Sequence, residues 1–194
     1  MAKPVLHVII ASTRPGRVGA AIAQWFYERA LERDTFEVEL VDLATIDLPL
    51  FNEPRQPVLQ NYEFEHTKRW SSTVSRADAF VLVMPEYNHS FNAALKNALD
   101  YLYHEWRDKP VGLVSYGGGA LGARAIEALK PVIASIGLAY TGEMSISLQQ
   151  FPVVDGVFLA PDALESRART LLDELDLVTP RSMALRLERD RRSH

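Results

Sequence analysis

Residues 11–21 read ASTRPGRVGAA and follow directly on the apolar run VLHVII. Two hydroxyls, two guanidinium groups and two glycines are gathered where an alanine-rich helical pattern begins. A helix N-terminus presents unpaired amides and the positive end of the helix dipole, so it attracts anions. Ser12 and Thr13 add hydroxyl donors, while Arg14 and Arg17 add charge and forked hydrogen bonds. Gly16 and Gly19 let the backbone approach a ligand closely. This set suits the grip of a terminal phosphate; a capped helix start with two solvated arginines is the plainer alternative. The spacing matches neither G-x-G-x-x-G nor the lysine-bearing P-loop. A mononucleotide therefore fits better than a dinucleotide or a hydrolysable triphosphate.

Two further stretches carry chemistry. Residues 84–101, MPEYNHSFNAALKNALDY, place a proline, a carboxylate, an aromatic ring and an amide together after another apolar run. Pro85 holds an extended turn and Tyr87 offers a face or an edge to a planar ring. Backbone groups around Glu86, Tyr87 and Asn88 can hydrogen-bond a heteroaromatic rim. A strand exit and helix cap would account for residues 85–90 equally well. Residues 115–125, SYGGGALGARA, contain three consecutive glycines. Glycine loses more backbone freedom on ordering than any other residue, so the run needs a return. A flat backbone surface that a ring can touch is one; a flexible turn is the other. An anion cradle and two loops suited to a planar heterocycle together describe a site for flavin mononucleotide, FMN.

The elements that must position these loops are legible as apolar runs at residues 5–10, 36–41, 79–84, 111–115 and 139–146. Continuous apolar strands separated by helical patterns predict a parallel sheet covered on both faces. Helices are expected at residues 18–32, 64–76, from Phe91 to about Leu102 with Ser90 or Asn88 as cap, 121–136 with Pro131 kinking or interrupting it, and 162–175. Five βα units with right-handed crossovers predict an α/β, flavodoxin-like, doubly wound five-stranded parallel sheet of order 2-1-3-4-5. Ligands of such sheets bind beyond the carboxyl ends of the strands, where the strand order reverses, and all three loops fall there. Residues 48–60 are expected to form a long loop beside that edge. Residues 1–179 are expected to form a single domain. Residues 180–194 are expected to be a basic tail, either disordered or a terminal arm or helix docked on a partner subunit.

With 194 residues and 47% hydrophobic content, one full core is expected without staples. The absence of cysteine excludes disulfides and thiolate chemistry. A formal net charge of −4 argues against a nucleic-acid partner, and no apolar run approaches a membrane span. A cytoplasmic protein is expected. His7, His66, His89, His104 and His194 lack metal-ligand spacing, so no metal is expected. His7 is expected to be packed within its strand. Trp25, Trp70 and Trp106 fit core or interface positions, and no G-x-S-x-G elbow is present.

The stretch PEYNHSFNAALKNALDY, with the S-x-R loop before it and the G-G-G loop after it, resembles the NADPH-dependent FMN reductases of the flavodoxin-like superfamily, over roughly residues 5–150. The resemblance implies that Ser12, Arg14, Arg17, Val18, Gly19 and Ala20 hold the FMN phosphate. In this chain Arg17 substitutes charge for a hydroxyl contact. Pro85, Glu86, Tyr87 and Asn88 would line the isoalloxazine, with Ser90 nearby; Gly117, Gly118 and Gly119 would meet its other edge, with Ser115 and Tyr116. It further implies hydride transfer from NADPH or NADH through FMN to a small-molecule acceptor such as a quinone, a flavin or an azo compound, with no catalytic side chain required. A homodimer or homotetramer is also implied, with Asp100 and the KNALDY helix as candidate contacts.

Overall fold

A computed structural model describes residues 3–192. Met1, Ala2, Ser193 and His194 lie outside the described residues, so the expected tail is visible to Arg192 only. Five parallel strands, β1 Val5–Ile10, β2 Glu37–Asp42, β3 Ala79–Pro85, β4 Pro110–Gly117 and β5 Ala139–Ser147, form one sheet in the order β2-β1-β3-β4-β5. The expected fold is the observed one. Side chains alternate between faces along each strand. In β3, Ala79, Val81 and Val83 enter one core, and Phe80, Leu82 and Met84 the other.

The first core lies under α1 (Gly19–Leu31) and α6 (Asp162–Arg192). The second lies under α2 (Leu43–Ile46), α3 (Glu65–Arg76), α4 (Ala93–Asp100) and α5 (Ala123–Ser135). Apolar residues at helical spacing explain the choice of face. Ile22, Phe26 and Ala30 of α1 are buried, as are Ile126, Leu129 and Ile133 of α5. Pro131 does not interrupt α5, because that buried stripe holds the helix through the missing hydrogen bond.

Two boundaries differ from expectation. The helix after β3 starts at Ala93 with Asn92 as its N-cap, not at Asn88 or Ser90. Asn88 and His89 have φ of 49° and 68°, and Tyr87 and Ser90 exchange two backbone hydrogen bonds. These four residues therefore make a tight reverse turn before the helix can begin. The last helix runs through Pro180 to Arg192. Its far end is fastened to the amino edge of the sheet: Ser182 donates to the Asp108 carbonyl, Arg186 pairs with Asp78 at 2.6 Å, and Arg189 pairs with Asp108. A short hairpin, β6 Val153–Val154 with β7 Val157–Phe158, turns on Asp155 and Gly156, both at positive φ. The Asp-Gly pair between apolar residues is its sequence signal. No described helix is long and apolar enough to cross a membrane.

His7 is fully buried in β1, with Nε2 3.2 Å from Glu39 Oε2, which in turn lies 2.8 Å from Arg76. Burial outweighs the Glu39 attraction and lowers the His7 pKa to about 4. The unfolded chain therefore takes up a proton below its ordinary value near 6.5 that the folded chain refuses until about pH 4. The His7 contribution is fully present above pH 6.5 and is lost as pH falls towards 4, by at most about 3 kcal/mol. Urea unfolding at pH 7 and pH 4.5 is expected to show a smaller acid loss for His7→Phe than for the parent. Equal losses would contradict this account of the pair.

Candidate cofactor site at the carboxyl rim

Register brings the three loops together. Ile10 of β1 faces Val83 of β3, and Met84 of β3 faces Ser115 of β4. The ladder runs slightly further, since the Ala11 amide donates to the Val83 carbonyl and the Glu86 amide to the Tyr116 carbonyl. The chain then leaves the sheet at neighbouring points of one rim. The order reverses between β1 and β3, and residues 11–18 and 86–92 flank that crevice.

The first loop turns on Gly16, at φ 69°, with the Arg17 amide bonded to the Arg14 carbonyl. Val18 is the N-cap of α1; no side chain caps that end, and its first turn holds no acidic residue. The amides of Val18, Gly19 and Ala20 have no acceptor among the described residues. Ser12 is fully buried beneath them, and its Oγ makes no hydrogen bond. The Tyr116 hydroxyl, arriving from β4, is buried beside it and is equally unbonded. A Cβ on Gly19 would overlap that hydroxyl and stand 2.5 Å from Ser12 Oγ. The two oxygens are neighbours, both within 2.5 Å of the place a Gly19 Cβ would take. Burial pushes the Tyr116 pKa up to about 12, against the smaller opposing influence of Ser12, Arg17 and Arg14, so it stays a neutral donor.

The two arginines part company. Arg17 forks onto the Asp42 carboxylate at the end of β2 and donates to the Ser12 carbonyl at 2.6 Å. Asp42 also accepts from the Ala44 amide at 3.0 Å, which caps α2. Arg17 thus braces the loop from below. Arg14 is exposed and has no ion-pair partner among the described residues, so its charge is available to a ligand. Thr13 borders a cavity of about 440 Å³ between α2 and α4.

On the other side of the crevice Pro85 is buried, Ser90 is half-buried, and Tyr87 and Asn88 are exposed on the turn. The Glu86 carboxylate, 8% exposed, is held by Arg124 through Nε at 2.6 Å and through its backbone amide at 3.3 Å. Arg124 also donates to His89 Nε2 at 2.8 Å. A cation in the first turn of a helix opposes the dipole, so Arg124 needs a carboxylate nearby. That mismatch in the sequence of α5 is the signal that could have found this clamp. It ties the 85–90 turn to the loop after β4.

In that loop Gly117 is buried, Gly118 and Gly119 are exposed, and none of the three has a positive φ. A Cβ on Gly119 would meet nothing within 4 Å, so its backbone is open to a ligand. The glycine that the geometry demands is Gly122, at φ 89°, where a Cβ would stand 2.6 Å from Ser115 Oγ and 2.7 Å from the Tyr116 amide. Ser115 lies beneath the loop, 3.2 Å from the Ser145 hydroxyl. Gln149 reaches over Gly118 from beyond β5. Neither Gly122 nor Gln149 carries a motif that singles it out. Asn92, also unremarked in the sequence, donates to the Ala11 carbonyl at 2.7 Å and ties the first loop to the 86–92 segment.

These residues fit FMN in chemical type. An uncapped helix end with free amides, two buried hydroxyls without partners and one available arginine want an anion. The open glycine backbone and the Tyr87 turn lie further along the same rim. No group of His, Asp or Glu among the described residues could hold a metal. Residues 4–152 match the family model for NADPH-dependent FMN reductase. An NAD(P)H-dependent FMN reductase of Schizosaccharomyces pombe is 40% identical over 157 residues, covering 79% of this chain and 78% of that protein. An NADPH azoreductase of Bacillus sp. strain OY1-2 is 35% identical, over 73% of this chain and 75% of its own length. In fold, the chain is similar to the NAD(P)H:acceptor oxidoreductase FerB of Paracoccus denitrificans, with a TM-score of 0.69 and 21% identity, over 90% of this chain and 98% of that one. With a family-model match over residues 4–152 and a 40% identical relative covering 79% of its length, the chain belongs to the NADPH-dependent FMN reductase family.

Proposed function

We propose that the chain binds FMN along this rim and works as an NADPH- or NADH-dependent oxidoreductase on a small acceptor, of the quinone, flavin or azo class. The observation that carries the reading is the acid-free, uncapped start of α1 above two buried hydroxyls without partners. When bound, FMN supplies the hydride acceptance and electron delivery that no side chain offers. The chain's own residues bind and orient. The amides of Val18, Gly19 and Ala20, with Ser12 and Arg14, hold the phosphate, while Arg17 keeps the loop in shape. Pro85, Glu86, Tyr87, Asn88 and Ser90 form one wall for the ring, and Gly117, Gly118 and Gly119 the other, with Ser115 supporting that loop. The Arg124 clamp sets the spacing of those walls. No side chain is required as nucleophile or general base.

The test is anaerobic. Protein loaded with FMN should lose its visible flavin absorbance rapidly on addition of NADPH and regain it with a quinone. Slow bleaching by NADPH with fast bleaching by dithionite would make the protein an electron carrier instead. A second copy of the chain is part of the same reading. Leu50 and Phe51 stand exposed on a loop pinned by Asn97, which accepts from the Phe51 amide and donates to the Pro49 carbonyl, and by the Tyr101 hydroxyl. A loop held rigid with its apolar side chains outward is suited to burial against a partner. Sedimentation should give a dimer or tetramer; a monomer at micromolar concentration would overturn that part.

A further inference from the structure

Tyr116 stands in the wrong place for a residue expected at the ring. It belongs to β4, two strands from β1, and its side chain lies in the core beneath α1. If filling that core were the whole requirement, phenylalanine would serve. The hydroxyl instead ends against Gly19 at the start of α1, next to Ser12 Oγ, where it finds no hydrogen-bond partner. Tyr116 is 4% exposed and Ser12 is 0% exposed. Buried hydroxyls are almost always bonded, and leaving one unbonded costs stability. Both oxygens lie against Gly19, whose amide is among the free ones, so they adjoin the place where an anion would sit. The missing Cβ of Gly19 is what gives the tyrosine oxygen its room.

We propose that Tyr116 is a phosphate-binding residue of the α1 cradle which, with Ser12, makes the site select phosphorylated over unphosphorylated flavin. This rests on the FMN reading above and assigns Tyr116 to the other end of the cofactor. The ring is fixed by packing, so the donor is aligned before the ligand arrives and little rotamer freedom is lost on binding. Its neutral form persists through the working pH range, so it donates a hydrogen bond to a phosphate oxygen and does not repel it.

The role gives two effects of opposite sign. Tyr116→Phe removes a donor from the complex and an unbonded hydroxyl from the free protein. Calorimetric titration of parent and Tyr116→Phe apoprotein with FMN and with riboflavin is the experiment, with the melting temperature of each apoprotein alongside. The FMN dissociation constant should rise about tenfold or more, and that of riboflavin should stay within about twofold. The apoprotein should melt at the parent temperature or above it. Ser12→Ala should show the same selectivity for the phosphorylated ligand. Equal change for both flavins, no change for either, or a lowered apoprotein melting temperature with unaltered FMN affinity would overturn the role of Tyr116 alone. A parent that binds neither flavin would overturn the FMN reading and this inference with it.

Discussion

Gly122→Ala is expected to lower the melting temperature of the apoprotein by about 5–15 °C. Two costs add. Gly122 has φ 89°, where a side chain is strained by about 1–3 kcal/mol. The new methyl would also stand 2.6 Å from Ser115 Oγ and 2.7 Å from the Tyr116 amide, and forcing atoms into a packed core costs about 1–3 kcal/mol. The amide is backbone of a central strand and cannot swing away. About 2–4 °C per kcal/mol is usual for a chain of this size. Because Tyr116 and Arg124 flank the displaced segment, FMN affinity should fall with stability. Gly119→Ala is the control, since its Cβ would meet nothing within 4 Å and its φ is not positive. Scanning calorimetry that finds Gly122→Ala within about 2 °C of the parent would contradict the close approach.

Arg14→Ala is expected to weaken FMN binding by up to about a hundredfold, and Arg17→Ala by distinctly less. A charge-assisted, forked hydrogen bond to phosphate is among the stronger polar contacts, about 1.5–3 kcal/mol. Arg14 is exposed at the cradle with its charge unspent, whereas the Arg17 guanidinium is committed to Asp42 and the Ser12 carbonyl. The two variants should also differ in kind. The Arg14 effect should shrink as salt is raised, since an exposed charge is screened. Arg17→Ala should lower the stability of the apoprotein, because Asp42, half-buried, loses its partner. Fluorescence titration of FMN at low and high ionic strength, with urea unfolding, separates them. Equal dissociation constants for parent and Arg14→Ala would refute the assignment.

The sheet order was legible because each central strand is a nearly unbroken apolar run, and a run of that kind has few alternatives. The boundaries near the site were not, because they depend on long-range partners. Asn92 caps α4 while its side chain reaches back to Ala11, eighty-one residues earlier. Arg17 reads as a phosphate ligand by type and place, but the carboxylate that engages it lies twenty-five residues on, at the end of β2. The basic stretch after Pro180 looks like a loose tail by composition, yet Asp78 and Asp108 supply the countercharges that keep it helical against the sheet. Glycine composition pointed to the loop after β4 but not to the residue that needs to be glycine. That need arises from φ and from the proximity of β4, which no local pattern records. The meeting of three loops at one rim follows from strand order alone; which atoms remain unbonded there follows only from packing.

The most direct test of the whole account is the structure of the FMN complex. The phosphate is predicted to lie on the amides of Val18, Gly19 and Ala20, within hydrogen-bond distance of Ser12 and Arg14, with the tricyclic ring between the 85–90 turn and the 117–119 backbone. FMN bound elsewhere, or with its phosphate away from the start of α1, would contradict it.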